Sequence, residues 1–496
     1  MKIIYLTICV SLLFQTALYA QKPNILLIVS DDLNTRIGPY MEIDKHTPHL
    51  DRLASEGVRF TRAYCQYPIC GPSRASFMSG LYPESNGVLR NNDQPGSYKK
   101  ETPALANHPS MAGFFRENGY FTARVSKIYH MGIPGGIERG EPGGDEPDSW
   151  DYAYNVMANE TLGPGKLELL SPKNTHYGGN FSRMIIPDGL EDTQADFMAT
   201  TQAIAILENR AGQAPEYGTN KQRLKKDAPF FLAVGLIRPH VPLIAPENCF
   251  AAYPEDEVEL PSVRIGENVP EEALRRQNDK IFGMSDLQKR QTIGGYMASV
   301  RFMDQQVGRL LDALDRLELR DETIVIFLSD HGYNLGEHDC WSKISLWEGS
   351  VRTPVIISVP DFDYNNGTSC SLITELIDLY PTLTELCGFK GQEPGILQGK
   401  SLTAYLSGEI KEEPDAYAYT VSYQGHDATI RNQRWRYTRW GEAIGTQNEE
   451  LYDHLNDPEE LENLADHAAY QTELKIMRDK FETARKKART GLKSIN

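Results

Sequence analysis

Short, continuously apolar runs alternate along the chain with segments of helical periodicity. Residues 24–30 and 323–329 are unbroken runs rich in branched side chains, which is typical of strands buried on both faces of a parallel sheet. Residues 230–235 have the same character, and residues 121–126 form a weaker fourth run. Helical patterns such as residues 292–317 lie between these runs. The sequence therefore predicts an α/β fold built around a mostly parallel sheet.

Polar residues capable of chemistry follow each apolar run. Ligands of open α/β sheets bind beyond the carboxyl ends of the strands, so side chains that follow different strands can meet in one site. An Asp after a strand is often only a helix cap or a turn residue, but two separate strands that each end in an acidic pair are harder to explain that way. The residues that we expect at this edge are Asp31, Asp32, Lys127, His130, His240, Asp330 and His331.

The acidic residues of this set predict a cation. Like charges a few ångströms apart repel strongly, so Asp31, Asp32 and Asp330 could converge only around a positive charge. Oxygen ligands combined with one imidazole nitrogen suit a hard divalent ion better than zinc. The residues alone favour Ca²⁺ or Mg²⁺.

A second motif, Cys70-Gly71-Pro72-Ser73-Arg74, predicts an anion site. Pro72 fits the first turn of a helix, which places Cys70 at the N-terminus, where free N–H groups attract an anion. Arg74 lies one turn further and adds a forked cation for a tetrahedral oxyanion. The alternative is a buried structural cysteine in front of a helix.

The sequence changes character in its last fifth. A charged, turn-rich stretch at residues 409–413 ends at Pro414, and short alternating strands follow at residues 416–421 and 435–439. An amphipathic helix is predicted from about Glu459. We therefore expect a main domain of residues 21–411 and a smaller C-terminal α+β subdomain of residues 412–496.

The first twenty residues have the pattern of a secretory signal peptide. Lys2 precedes a short apolar run at residues 3–14, and Ala20 provides a plausible cleavage site, although a buried N-terminal strand or helix is the alternative. No stretch is long enough to span a membrane comfortably. We expect an exported protein, periplasmic or secreted. Six cysteines remain after residue 20, too few for a disulfide scaffold, and their spacing matches no zinc site.

The acidic balance limits the partners of the protein. Lys and Arg number 51 against 68 Asp and Glu, which gives a net charge of −17. A chain this acidic is not expected to bind nucleic acid or an anionic membrane through a basic surface. One anionic group can still bind to a few local cations, because salt limits the reach of the overall charge. The charge thus favours a short or terminal anionic substrate over a long polyanion.

The motifs together resemble the type I sulfatases of the alkaline-phosphatase superfamily, over nearly the whole chain after residue 20. The resemblance rests on the Cys70–Arg74 motif and on residues 22–32, 47–57, 119–130 and 451–458. Residues 230–242 and 329–338, with Trp341 and Lys343, resemble the iduronate-2-sulfatase branch more narrowly. Two departures, Met78-Ser79-Gly80-Leu81 and Ser126, remove no chemical group.

The resemblance implies an alkaline-phosphatase-like α/β/α sandwich with a smaller C-terminal subdomain. It also implies that Cys70 is oxidised to formylglycine by a formylglycine-generating or sulfatase-maturating enzyme. Its metal would be Ca²⁺, with Mg²⁺ as the alternative, bound by Asp31, Asp32, Cys70, Asp330 and His331. The family's catalytic positions correspond to Cys70, Arg74, Lys127, His130, His240 and Lys343.

The resemblance also implies a role for most of these side chains. Asp330 would take the proton of the attacking group, and Arg74 and Lys127 would orient the formylglycine. His130 would be the base that lets sulfate leave. His240 and Lys343 would bind sulfate and protonate the leaving oxygen. His426 is a candidate contact for a substrate carboxylate, or else only a loop residue.

The expected activity is hydrolysis of the 2-O-sulfate of a hexuronate, iduronate or glucuronate, in oligosaccharides derived from glycosaminoglycans. Choline sulfate or another small sulfate ester is an alternative substrate. A phosphodiesterase or phosphonate hydrolase activity is a further alternative, since the same site chemistry suits those esters. A glycan-binding protein with an inactive site belongs to a different class, and the complete set of site residues argues against it.

Overall fold

A computed structural model gives the structure of the protein. It describes residues 22–41, 46–213, 228–261, 265–266, 268–274, 277–360, 362, 365–442 and 448–490. The predicted signal peptide, residues 1–20, lies outside the described residues, so that prediction stays open. Within the described residues, no helix is both long enough and apolar enough to cross a membrane.

A large mixed sheet forms the centre of the molecule. Its strands are β1 (Asn24–Asp31), β2 (Val58–Tyr64), β3 (Phe121–Ser126), β4 (Tyr152–Tyr154), β7 (Phe230–Pro239), β9 (Thr323–Ser329), β12 (Arg352–Ser358), β13 (Thr368–Cys370) and β14 (Thr374–Glu375). They run in the order β13-β2-β12-β9-β1-β7-β3-β4, with β14 also paired to β2. β12 is antiparallel to both of its neighbours, and the other pairs are parallel. The predicted mostly parallel sheet is confirmed.

Helices cover both faces of this sheet. The longer helices of the described residues are Pro48–Ser55, Cys70–Ser79, Met111–Glu117, Ala195–Arg210, Asp286–Arg316, Leu379–Leu386 and Gln471–Thr490, the last of which packs on a separate sheet near the C-terminus. Short α-helical turns are Pro83–Asn86, Ser97–Glu101, Gly135–Glu138, Glu247–Phe250, Glu271–Leu274, Asp279–Phe282, Glu348–Val351 and Thr403–Leu406. The 3₁₀ turns are Gly38–Tyr40, Pro103–Leu105, Pro147–Ser149, Glu191–Thr193, Arg320–Glu322, Glu337–Asp339, Leu376–Asp378, Tyr423–Gly425 and Ala468–Tyr470.

Alternate residues of β1 pack into two different cores. Leu26 and Ile28 join a cluster with Val300 and Met303 of the Asp286–Arg316 helix. Ile25, Leu27 and Val29, whose side chains lie on the opposite face of the sheet, join a second cluster. The Cys70–Ser79 and Met111–Glu117 helices contribute to it. A strand whose successive side chains point to opposite faces must be apolar throughout when both faces are covered. The molecule is therefore an α/β/α sandwich, as predicted.

Smaller sheets surround this sandwich. β5 (Lys166–Leu169), β6 (Ser182–Ile186) and β8 (Leu243–Pro246) form a three-stranded sheet, and β10 (Asn334–Leu335) pairs with β11 (Trp341–Ser342). Near the C-terminus, β15 (Ala418–Ser422), β16 (Asp427–Arg431), β17 (Trp435–Arg439) and β18 (Glu449–Asp453) form an antiparallel sheet. The Gln471–Thr490 helix packs on it through Met477, Phe481 and Ala484. This smaller α+β unit agrees with the predicted one, and its boundary at residue 412 stays a prediction.

The last helix begins at Gln471, so the expected start near Glu459 is wrong. The polar side chains before it are engaged elsewhere. Glu460 is buried against Arg436 and His454, and the Asn463 side chain accepts the N–H of Leu451 at 3.0 Å. The amphipathic pattern of the sequence extended into a segment that tertiary hydrogen bonds hold in an irregular conformation.

The contact between β3 and β7 supplies a test of this packing. A Cβ on Gly235 would lie 2.0 Å from the carbonyl oxygen of Lys127. Gly235→Ala is therefore expected to lower the free energy of unfolding by about 1–3 kcal/mol, measured by urea denaturation. Gly395→Ala is the control, because a Cβ there meets no atom within 4 Å. Equal stability of the two variants would contradict the close approach of the strands.

Candidate active site

Cys70 lies at the N-terminus of a buried helix, as the sequence predicts. The Cys70–Ser79 helix follows the extended residue Ile69 and ends at Gly80, which has a left-handed φ of 71°. The cysteine is 1% exposed. The backbone N–H of Gly71 donates to the side-chain oxygen of Asn91 at 2.9 Å. The helix thus presents the Cys70 side chain toward the carboxyl ends of the central strands.

Carboxylate, imidazole and ammonium groups surround the Cys70 sulfur. Its Sγ lies 3.2 Å from Asp31 Oδ1, 3.5 Å from His331 Nε2 and 3.1 Å from Lys343 Nζ. Burial raises the pKa of the Cys70 thiol well above its ordinary value, and the Asp31 carboxylate adds to the rise. Lys343 and Lys127 oppose it. These contacts come from three segments that are distant in sequence, so the fold brings the predicted residues together.

Asp31 ends the β1 strand and Asp32 directly follows it, and the two carboxylates have different partners. Burial alone would raise the pKa of Asp31, but the Lys127 ammonium, with which it forms a buried ion pair, holds that pKa well below its usual range. Asp32 Oδ1 lies 2.5 Å from Lys343 Nζ and 3.3 Å from His331 Nε2. Burial raises the pKa of Asp32, an effect that Lys343 opposes.

The backbone of Asp32 is held in an unusual conformation. Its φ is 66°, in the left-handed region, which costs about 1–2 kcal/mol for a residue with a side chain. The Asp32 N–H donates to Asp330 Oδ1 at 3.2 Å, and its carbonyl accepts the Tyr296 hydroxyl at 2.8 Å. These two hydrogen bonds fix the turn that directs the two neighbouring carboxylates into one site.

Asp330 and His331 follow β9, the neighbour of β1. Asp330 Oδ2 accepts from Arg74 Nε at 2.8 Å, an ion pair whose side chains are both fully buried. His331 Nδ1 contacts the carbonyl oxygen of Gly332 at 2.8 Å. Because that carbonyl can only accept, Nδ1 carries the proton and the lone pair of Nε2 faces Cys70 and Asp32.

The site has the composition of a divalent cation site. Asp31, Asp32, Cys70 and His331 each offer a ligand atom, and these atoms lie within 4.8 Å of one another. Asp32 Oδ2 is buried and has no hydrogen-bond partner among the described residues. A buried carboxylate oxygen without a donor is what a cation would satisfy. The residues present therefore fit the metal that the resemblance implies.

Asp330, the fifth predicted metal ligand, is placed at the margin of this group. Its Oδ1 lies 3.7 Å from His331 Nε2, and it also accepts the N–H groups of Asp32 and His331. Its other oxygen belongs to the pair with Arg74. Four predicted ligands thus form the compact group, and the part of Asp330 in metal binding stays a prediction.

Three buried cations face the same space. Arg74 also donates to the backbone carbonyl of Lys127, which ties the cysteine helix to the end of β3. Lys127 and Arg74 are wholly buried, and the Lys343 side chain is 12% exposed. Charges this deeply buried require partners, and each of the three has a carboxylate.

His240 enters the site from the loop after β7. Its Nδ1 lies 2.6 Å from the carbonyl oxygen of Val241, and its Nε2 lies 3.8 Å from Asp32 Oδ2. Arg238, two residues earlier, forms a buried two-pronged ion pair with Glu160 at 2.9 and 2.8 Å. Glu160 was not recognised from the sequence, since it lies in an irregular segment without periodicity. It anchors the loop that carries His240.

His130, three residues after Lys127, contacts Asp93, an acidic residue for which the sequence offers no signal. Its Nδ1 is 2.6 Å from Asp93 Oδ1, and its side chain is 12% exposed. His426 is exposed at the tip of the β15–β16 hairpin, where its ring centroid lies 6.0 Å from that of Tyr423. The suggested contact of His426 with a substrate carboxylate stays a prediction.

Comparison with protein families identifies the chain. Residues 23–389 match the sulfatase family model. The chain is a member of the sulfatase family. Residues 336–487 also match the model for the C-terminal region of N-sulphoglucosamine sulphohydrolase. The two matches overlap and together extend from β1 to the C-terminal helix.

Curated relatives of this sulfatase carry several specificities. It is 31% identical to human iduronate 2-sulfatase, over 74% of this chain and 69% of the human protein. It is 29% identical to a sulfatase of Formosa agariphila, over 92% of this chain and 86% of the relative. It is 28% identical to the choline-sulfatase of Rhizobium meliloti, over 90% of this chain and 84% of that protein.

Solved structures confirm the alkaline-phosphatase-like α/β fold of the sulfatase. A 2-O GAG sulfatase superposes with a TM-score of 0.68 at 22% identity, covering 96% of this chain and 94% of that one. The phosphonate monoester hydrolase of Silicibacter pomeroyi superposes with a TM-score of 0.73 at 21% identity, covering 94% and 96%. At these identities the likeness establishes the architecture and leaves the substrate open.

The Arg238–Glu160 pair provides a test of how the His240 loop is held. Glu160→Gln removes the negative charge beside the buried guanidinium of Arg238. We therefore expect the free energy of unfolding, measured in urea, to fall by about 3–5 kcal/mol. The matched control is Glu168→Gln, because the side chain of Glu168, which pairs with Arg183, is 37% exposed. That change should cost at most about 1 kcal/mol. A loss at Glu160 no larger than at Glu168 would show that the buried pair does not anchor the loop.

Proposed function

We propose that this sulfatase removes the 2-O-sulfate of a terminal hexuronate in short oligosaccharides derived from glycosaminoglycans. The observation that carries the proposal is the ring of Lys127, Lys343 and Arg74 with carboxylates and histidines around one buried cysteine. The similarity to iduronate 2-sulfatases from human and mouse, at 31% and 30% identity, supports this substrate class.

The cations of the site would neutralise the sulfate oxygens. A sulfate ester resists nucleophiles because its oxygens are negatively charged, so positive groups placed beforehand lower the barrier. Lys343 Nζ, within 3.1 Å of the Cys70 sulfur, is placed to contact an oxygen of a group reacting there. His240 Nε2 and Lys343 are the candidates to donate a proton to the leaving oxygen.

Two additions to the chain complete this chemistry. Formylglycine, made from Cys70 by a maturation enzyme of the cell, would supply the nucleophilic oxygen when hydrated. A divalent cation, Ca²⁺ or alternatively Mg²⁺, would be held by Asp31, Asp32, Cys70 and His331 with Asp330 beside them, and would withdraw charge from the sulfate. Asp330, which pairs with Arg74, would take up a proton from the attacking group.

The surroundings of the reaction follow from the same proposal. We infer that residues 1–20 direct export to the periplasm or the exterior, where extracellular glycan fragments are available. The net charge of the protein, −17, disfavours binding of a long sulfated polymer along its surface. A small sulfate ester such as choline sulfate is the second candidate substrate, which the choline-sulfatase relative supports.

Replacement of Cys70 tests the nucleophile. Cys70→Ala should reduce sulfate release by at least about 10⁴-fold, because it removes the side chain from which the proposed nucleophile is made. Cys249→Ala, at a buried cysteine outside the site, is the control and should retain activity. The mass of the Cys70 peptide should show sulfur exchanged for oxygen with loss of two hydrogens. Substantial turnover by Cys70→Ala, or an unmodified thiol in active enzyme, would refute the mechanism.

A substrate panel tests the specificity. We expect kcat/KM to be about tenfold or more higher for a disaccharide with a terminal 2-O-sulfated hexuronate than for a 6-O-sulfated glucosamine disaccharide, choline sulfate or an aryl phosphate. Sulfate or phosphate release is measured with and without a chelator, and the Cys70→Ala protein serves as the blank. Faster turnover of choline sulfate would favour the second candidate, and faster turnover of the aryl phosphate would contradict a sulfatase preference.

A further inference from the structure

Each of three histidines of the site has an oxygen acceptor at Nδ1, and among these three that acceptor is a carboxylate only for His130. The Nδ1 atoms of His331 and His240 lie 2.8 and 2.6 Å from the backbone carbonyls of Gly332 and Val241. His130 Nδ1 instead lies 2.6 Å from Asp93 Oδ1. A carboxylate carries a full negative charge, so it stabilises a protonated imidazole more than a carbonyl does.

Asp93 also lies close to the backbone beyond His130. A Cβ added to Gly132, two residues further along the chain, would be 3.3 Å from Asp93 Oδ2. The hydrogen bond from His130 holds the pKa of Asp93 below its usual range, so the side chain is an acceptor. Asn91, in the same loop, receives the N–H of Gly71 beside the cysteine. One loop thus contacts both the cysteine helix and His130.

These contacts determine which nitrogen of His130 carries the proton. Because Asp93 can only accept, the proton of the neutral ring lies on Nδ1 and the lone pair lies on Nε2. Burial lowers the pKa of His130, and Asp93 opposes that effect. Lys127 adds to the lowering of this pKa, and the Asp31 carboxylate opposes it.

We propose that Asp93 is a positioning residue that holds His130 in the Nδ1–H tautomer, so that Nε2 accepts the proton released as sulfate leaves. The inference rests on the proposed function, in which His130 is the base of that step. As the proton passes to Nε2, the oxygen that loses it would form a second bond to its carbon, and the bond from that carbon to the sulfate oxygen would break, so that sulfate leaves with the electron pair. The imidazolium keeps its Nδ1–H bond to Asp93, and Nε2 then gives the proton to water. Asp93 itself touches no reacting atom.

The first experiment reads the tautomer without any turnover. The protein with Cys70→Ala, labelled with ¹⁵N-histidine, is compared with the same protein carrying Asp93→Asn. His130→Gln in that background identifies the signals of His130. We expect the His130 Nδ1 to be protonated and Nε2 unprotonated with Asp93 present, and a shift toward the Nε2–H form when Asp93→Asn is introduced. An unchanged tautomer in the Asp93→Asn protein would overturn the proposal.

The second experiment measures steady-state turnover of the protein with its native Cys70. Asp93→Asn should lower kcat by about 10–100-fold with a much smaller change in KM, as loss of an orienting partner typically does. Asp93→Glu, which keeps the carboxylate, should restore part of the loss. In the His130→Gln background, Asp93→Asn should add little, because the two residues act as a unit.

The control for this measurement is Asp315→Asn. Asp315 is 46% exposed, close to the 50% of Asp93, and pairs with Arg52 far from the site. A kcat of Asp93→Asn equal to that of the control, or an additive loss in the double variant, would overturn the positioning role. Melting curves confirm that each variant is folded, and Asp93→Glu covers the case in which the Asp93→Asn protein does not fold.

The two experiments separate this inference from the proposed function. An inactive native protein with His130 in the tautomer held by Asp93 would refute the sulfatase mechanism and the proton-accepting role of Nε2. The orientation of the ring by Asp93 would then still be supported by the ¹⁵N spectra. A fully active native protein, combined with a His130 tautomer that is the same with and without Asp93→Asn, would refute only the inference about Asp93.

Discussion

The site depends on charge compensation among buried side chains. Asp31, Asp32 and Asp330 are fully or almost fully buried, and each has a cation within ion-pair distance. An uncompensated buried charge costs several kcal/mol, so neither the acids nor the cations could occupy this position alone. The strand ends, the cysteine helix and the loop that carries Lys343 must therefore come together for the fold to tolerate any of them.

This requirement explains why so much of the site could be predicted from sequence. Residues 25–29 of β1 and 324–328 of β9 are continuously apolar because helices cover both faces of the sheet, and these apolar runs end where the two strands reach the site. Parallel neighbours end at the same edge, which places Asp31 and Asp330 together. The Cys70 motif contains a proline suited to the first turn of a helix, and the helix begins at that cysteine.

The parts that could not be predicted are contacts between irregular segments. Asp93 and Glu160 lie in loops without periodicity, and their partners are 37 and 78 residues away. Neither the separation nor the acceptor geometry leaves a signal in a single sequence. The start of the C-terminal helix was predicted wrongly for a related reason. Glu460 forms an ion pair and Asn463 a hydrogen bond with residues distant in the sequence, and a helical pattern does not reveal such contacts. The roles of individual site residues remain predictions that the experiments above address.

The burial of Cys70 has a consequence for the order of events in the life of the chain. Its side chain is 1% exposed and is enclosed by groups that span positions 31 to 343. An enzyme that modifies this sulfur, as the proposed function requires, would have to reach it before the fold encloses it. Under that proposal, modification and folding would compete, and the chain could be activated only until the segment that carries Lys343 closes over the cysteine.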